Sequence, residues 1–337
     1  MKIFPFLYKK LTSILTALVG LGVFLSFGSL AHAAFDDVSP LDQKAIAINT
    51  LVDQGIIKGL DPNTFGSSQT LNRAQAVALM LRYGGYQVSE LGVDETSFPD
   101  VDSSAWYAAA VEEAVELGII KGHANGTFAP AEPVRSAQFL IMVTRTDEID
   151  LSLFEGEQWY SGVMKYAQDS GVYLGENPAA VLSRGEAANL LYLSLLLRQA
   201  ADNDFLSAQS QQHLSRIEAS VAANQLSTAQ YHADLALQLT SQVQRNLPEK
   251  GNALANKHLA QAYSNWLEAI VAALGDDNAL ALAKINAVLQ EATDAYFARS
   301  STQSLGSHLK DLACEIYGQL PEPKGEMPED CVGRLGN

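Results

Sequence analysis

Apolar and polar positions along most of this chain follow a helical period. Trp106, Ala110, Ala114 and Leu117 recur at steps of three or four residues, which marks one apolar helix face. Gly118 follows directly, where a left-handed helix cap is needed. Further on, Leu259, Tyr263, Trp266, Ile270 and Leu274 keep the same stepping, as do Leu282, Ile285, Leu289, Ala292 and Tyr296. Seams of this kind predict helices packed side by side. The pattern predicts helices near 203–224, 226–246, 253–274 and 278–299, with a last one near 304–319. Breaks fall at Asn224-Gln225, from Pro248 to Gly251, and at Gly275-Asp276-Asp277. Short connections between long helices predict antiparallel neighbours and hence a four-helix bundle. A tandem helical array is the competing arrangement, but no 34-residue self-similarity supports it.

The first 33 residues read as a targeting segment. Lys2, Lys9 and Lys10 precede an uncharged apolar run from Leu11 to Leu30, and Ala31-His32-Ala33 follows. This order is that of a secretory signal peptide, expected to be cut after Ala33. A retained anchor is the alternative, because a run of about 20 apolar residues can span a bilayer.

Residues 35–198 contain a repeat. Phe35-Asp36-Asp37-Val38 returns as Phe98-Pro99-Asp100-Val101, and Gly55-Ile56-Ile57-Lys58-Gly59 as Gly118-Ile119-Ile120-Lys121-Gly122. Asn63-Thr64-Phe65 returns as Gly126-Thr127-Phe128, and Leu71-Asn72-Arg73-Ala74-Gln75 as Val134-Arg135-Ser136-Ala137-Gln138. All four pairs share one offset, 63 positions. A shorter third copy keeps Trp159 twelve positions before Gly171, as Trp106 stands before Gly118. It continues with Gly171-Val172-Tyr173-Leu174-Gly175 and Leu182-Ser183-Arg184-Gly185-Glu186. Each copy reads as helix, loop, helix. Asn72-x-x-Gln75 and Ser183-x-x-Glu186 are capping-box signatures for the second helix. One such pair cannot bury its apolar face alone, so the copies are expected to share a core.

This set of motifs resembles the S-layer homology (SLH) repeat over about half the chain. The resemblance implies a pseudo-trimer of helix-loop-helix repeats; with the antiparallel helical bundle read from periodicity, where no family resemblance is seen, the expected fold is all-α. The expected segments are a signal peptide at 1–33, repeats at 34–92, 93–152 and 153–198, a bundle at 201–320 and a Pro-rich tail at 321–337. The resemblance also implies an exported cell-surface protein held non-covalently to a cell-wall polysaccharide, often one carrying pyruvate ketals. A surface enzyme or a lattice-assembly protein is the alternative, with its activity in the helical half.

Candidate ligand residues follow from residue chemistry. Helix N-termini favour anions, and Arg offers a planar fork to a carboxylate. Arg73 and Arg184 open second helices and are the expected polysaccharide contacts. In copy two the matching position holds Ser136, with Arg135 one place earlier, a rotation of about 100° on a helix. Trp106 and Trp159 can stack on sugar faces or pack in the core. Gly59 and Gly122, with Gly175, are expected to admit a close backbone approach or positive φ. Asp37 and Asp100 are expected to cap the first helices.

Composition narrows the function classes. The 337 residues are 47% hydrophobic and 18% charged, with net charge −16, so disorder throughout is excluded. The acidic balance excludes a general nucleic-acid binder. Residues 34–200 carry 22 acidic and 10 basic side chains, net −12, and residues 201–337 carry 16 and 9, net −7. Cys314 and Cys331 are the two cysteines, and export favours a disulfide between them. No Gly-x-Ser-x-Gly, His-Glu-x-x-His or P-loop pattern occurs. No enzyme activity, cofactor or metal site is expected; a His232–His258 metal pair lacks supporting Glu-x-x-His spacing. A protein partner through the helical bundle is the remaining expected interaction.

Overall fold

The computed structural model describes residues 35–334 except 88–91, 155, 174, 176, 300–301, 321–325 and 333. The expected signal peptide, Leu174, Pro321 and Pro323 lie outside the described residues. The described residues form eleven α-helices and no strand, an all-α fold. The chain divides into two compact units, residues 33–198 and 199–337.

Three helix pairs build the first unit. They are α1 (Ala45–Asp53) with α2 (Arg73–Tyr83), α3 (Ala108–Glu116) with α4 (Ser136–Thr146), and α5 (Ser161–Asp169) with α6 (Arg184–Arg198). Each first helix ends in a glycine at positive φ: Gly55 at 70°, Gly118 at 71° and Gly171 at 75°. The Gly55 amide bonds back to Val52 and the Ile56 amide to Leu51, at 2.9 and 2.8 Å. That double closure satisfies the last carbonyls of the helix and requires the left-handed residue.

The pairs exchange partners around a ring. The first helix α1 packs on α6 of copy three, α3 on α2 of copy one, and α5 on α4 of copy two. Just before the second helices, the backbone closes a cyclic triangle. Leu71 N–H donates to the Leu182 carbonyl at 3.0 Å, Leu182 N–H to Val134 at 3.1 Å, and Val134 N–H to Leu71 at 2.9 Å. All three side chains are buried, so each copy supplies one apolar residue to a shared centre. At the far ends of the second helices, the Tyr83 hydroxyl donates to Asp147 Oδ2 at 2.9 Å. Arg198 Nη1 donates to the Tyr83 carbonyl at 2.8 Å. The three copies are thus tied at both ends of these helices.

Two sequence expectations change here. Trp106 lies two residues before α3, and both it and Leu117 are exposed. The buried face of α3 is Ala108, Ala110, Val111 and Ala114. Asp37 and Asp100 do not cap first helices. The α1 N-cap is Lys44, with no side-chain cap, and the aspartates act elsewhere, as described below.

The second unit holds α7 (Asn203–Ala222), α8 (Leu226–Asn246), α9 (Gly251–Leu274), α10 (Asn278–Ala298) and α11 (Gln303–Gln319). Three or four residues separate successive helices in the sequence. The core gathers Leu259, Tyr263, Trp266 and Ile270 from α9 with Ile285, Leu289 and Ala292 from α10. Tyr296, the last residue of the predicted α10 seam, is exposed, and Ala295 is buried instead. The bundle is not a square of four. The long apolar helix α9 packs against α7, α8, α10 and α11, so the fifth helix completes the core around it. Cys314 on α11 forms a disulfide with Cys331, with Cα atoms 5.3 Å apart. No described helix is long and apolar enough to cross a membrane.

Candidate ligand-binding junctions

The capping boxes set the start of the second helices. Asn72 Oδ1 accepts from the Gln75 amide at 2.9 Å, and Gln75 Oε1 accepts from the Asn72 amide at 3.1 Å. Ser183 and Glu186 pair likewise at 3.2 and 2.7 Å. The next amides are engaged by a neighbouring copy. Arg73 N–H donates to the Glu132 carbonyl at 3.0 Å and Ala74 N–H to Pro130 at 3.1 Å. Arg184 N–H donates to Gln69 at 2.8 Å and Gly185 N–H to Ser67 at 2.9 Å. The first three amides of α2 and α6 therefore already have partners within the protein. They do not form the anion site that the helix ends suggested.

The two arginines reach out of their own copies. Arg73 is 4% exposed. Its Nε donates to the Phe128 carbonyl at 2.8 Å and its Nη2 to Lys121 at 3.5 Å. Its guanidinium lies 4.8 Å from the Phe128 ring centroid. Arg184 repeats the arrangement from copy three into copy one. Its Nε donates to the Phe65 carbonyl at 3.0 Å and its Nη2 to Lys58 at 2.8 Å, with the Phe65 ring 5.0 Å away. The Nε/Nη2 edge of both arginines is thus committed to carbonyls of the adjoining copy. Burial pulls both guanidinium pKa values down; Glu132 and Asp100 oppose this at Arg73, and Asp37 at Arg184.

Each receiving copy frames its guanidinium in the same way. Asp37 accepts from the Phe65 and Gly66 amides, both at 2.7 Å. Asp100 accepts from Phe128 and Ala129 at 2.8 and 2.7 Å. Partial desolvation raises both carboxyls, but these amide donors outweigh it and hold them below the usual carboxylate range. Phe35 packs on Phe65 and Phe98 on Phe128, each at 5.5 Å between centroids. Gly59 and Gly122 explain themselves against these rings. A Cβ at Gly59 would collide with the Phe35 ring, and one at Gly122 with the Phe98 ring. Close approach, not positive φ, is what both positions require.

The third junction lacks these parts. Ser136, where the other second helices carry Arg, donates its hydroxyl to the Asn177 carbonyl at 2.7 Å. Arg135 is exposed and bonds the Ala179 carbonyl through Nη1 at 2.8 Å. Copy three has neither the Thr-Phe turn nor the Asp of the opening motif. The Arg missing from copy two and the frame missing from copy three therefore fall at one and the same junction.

Outward-facing groups complete the surface. Lys58 and Lys121, at the two complete junctions, are exposed; in the sequence they are hidden inside the Gly-Ile-Ile-Lys-Gly repeat, which marks them only as turn residues. Trp106 is 43% and Trp159 65% exposed, so neither is a core residue. Trp159 lines an open pocket of about 690 Å³ with Ser152, Phe154, Glu157 and Gln158.

Residues 34–77 and 97–140 each match the model of the S-layer homology domain, which covers the first two copies. The chain is 31% identical over 187 residues to a cell surface protein of Thermoanaerobacter kivui, covering 54% of this chain and 24% of that protein. It is 29% identical over 206 residues to the S-layer protein EA1 of Bacillus anthracis, covering 56% and 23%. It is 28% identical over 190 residues to an endoglucanase of Bacillus sp. (strain KSM-635), covering 51% and 19%. The chain thus spans about a quarter of the length of these relatives.

Proposed function

We propose that this is an exported cell-surface protein whose repeats hold it non-covalently to an anionic cell-wall polysaccharide, and that its helical unit is displayed without enzymatic activity of its own. The observation that carries this reading is the junction occurring twice, built from Arg, Asp and paired Phe; all of these residues except Arg184 lie in the segments matching the S-layer homology domain. The third copy completes the ring and so counts as a degenerate repeat. Arg73 and Arg184 act from beneath as positioning residues, fixing the turns that carry Lys58 and Lys121. The lysines meet the polymer's carboxylates, while Trp106 and Trp159 stack on its sugar rings.

The test is a binding titration of the full chain against purified acidic wall polymer. Lys58→Glu with Lys121→Glu is expected to weaken binding at least tenfold with unchanged thermal stability. Undiminished binding by that double variant would remove the lysines from the site. The names of the S-layer relatives support a second reading, assembly into a surface lattice. It predicts sedimenting assemblies of the chain alone, without polymer.

A further inference from the structure

We propose that His258, Glu291 and Asp294 form a divalent transition-metal site across the α9–α10 hairpin. His258 lies on α9. Glu291 and Asp294 stand three residues apart on α10 and so share one face of that helix. One ligand atom from each of the three lies within 4.8 Å of the others. His258 Nδ1 and Glu291 Oε2 lie 2.7 Å apart.

Tetrahedral coordination at metal–ligand distances of about 2.1 Å sets ligand atoms about 3.4 Å apart. The observed separations, from 2.7 Å to at most 4.8 Å, bracket that spacing. Gln290 Nε2 donates to Asp294 Oδ1 at 3.0 Å, a contact of the kind that orients ligating carboxylates. The side chains of His258 and Glu291 are 24% and 25% exposed, so the site is partly desolvated yet reachable from solvent.

The donor set selects the ion. One imidazole nitrogen and two carboxylate oxygens suit Zn²⁺ or Co²⁺, whereas Ca²⁺ takes six to eight oxygens. Both cysteines are in the disulfide, so no thiolate competes. The buried His213 and His232 are paired with each other through Nδ1 atoms 2.8 Å apart. A simple His258–Glu291 ion pair has no use for Asp294, and that residue separates the two accounts.

The experiment uses the full chain, stripped with chelator. Co²⁺ titration is followed by visible d–d absorption, and Zn²⁺ by calorimetry and thermal melting. A single equivalent is expected to bind, with a d–d band and a Zn²⁺-dependent rise in Tm. His258→Gln and Asp294→Asn should each weaken Zn²⁺ binding at least about tenfold, and Gln290→Ala by about tenfold. Circular dichroism checks that each variant is folded. No d–d band and no Zn²⁺-dependent melting shift in the wild-type chain would overturn the proposal. So would signals of unchanged size in both ligand variants.

Discussion

At the scale of single residues, two buried groups carry the clearest consequences. Arg73 makes two charge-assisted bonds to carbonyls of the next copy and stacks on Phe128. Arg73→Ala would remove both and leave the Phe128 carbonyl buried without its donor. The expected cost is about 3 kcal/mol in urea denaturation of the repeat unit, with a similar cost for Arg184→Ala. Arg135→Ala, at an exposed position, is expected to change stability by less than about 1 kcal/mol. Equal costs at all three positions would contradict the buried-junction geometry.

His213 and His232 give the second consequence. Their Nδ1 atoms lie 2.8 Å apart, so in the neutral pair one ring donates and the other accepts. Burial, then the Arg216 charge, holds His232 down at about 4. Burial, then His232 and Arg216, pushes His213 well below its usual value. Histidine titrates near 6.5 when unfolded, so the unfolded chain takes up protons first as pH falls. Stability is therefore full above about pH 6.5 and declines as pH falls toward 4, by about 3 kcal/mol for His232 alone. Melting of the helical unit at pH 7 and pH 5 should show this decline, and His213→Leu with His232→Leu should flatten it. The sequence placed both histidines on helices but gave no sign of their meeting. His258, the other candidate neighbour of His232, lies against Glu291 instead.

At the scale of elements, local signals were legible and non-local ones were not. The five helices of the second unit begin and end within about two residues of the positions expected from periodicity and breaks. Gly118 and the capping boxes of Asn72 and Ser183 do what their spacing implied, because these motifs act within a few residues. Asp37 shows the opposite case. Its partners, the Phe65 and Gly66 amides, lie 28 and 29 positions away, and no spacing rule reaches them. The partners of Arg73 were not legible either, because the 63-residue offset aligns motifs but does not say which copies touch. The ring closure at Leu71, Val134 and Leu182 decides that, and it sends each second-helix N-terminus into its neighbour. One element-scale prediction concerns the tail. The Cys314–Cys331 disulfide closes a loop of 17 residues, so reduction should cost about 3 kcal/mol in the chain-entropy model. Melting with and without reductant measures it.

At the scale of the whole molecule, charge sets the terms of binding. The segment assigned to an anionic polymer, residues 34–200, carries net −12. Long-range attraction is therefore absent, and in the proposed binding recognition falls to a few local cations such as Lys58 and Lys121. Screening shortens the Debye length from about 30 Å at 0.01 M salt to about 8 Å at 0.15 M. The association rate with acidic polymer should rise over that interval, whereas a basic binder would slow. The direct measurement is cosedimentation of the full chain with purified wall sacculi, before and after the acidic polymer is removed. The chain should pellet with native sacculi and stay in the supernatant with stripped ones. Failure to pellet with native sacculi, or equal pelleting with stripped ones, would contradict anchoring through that polymer.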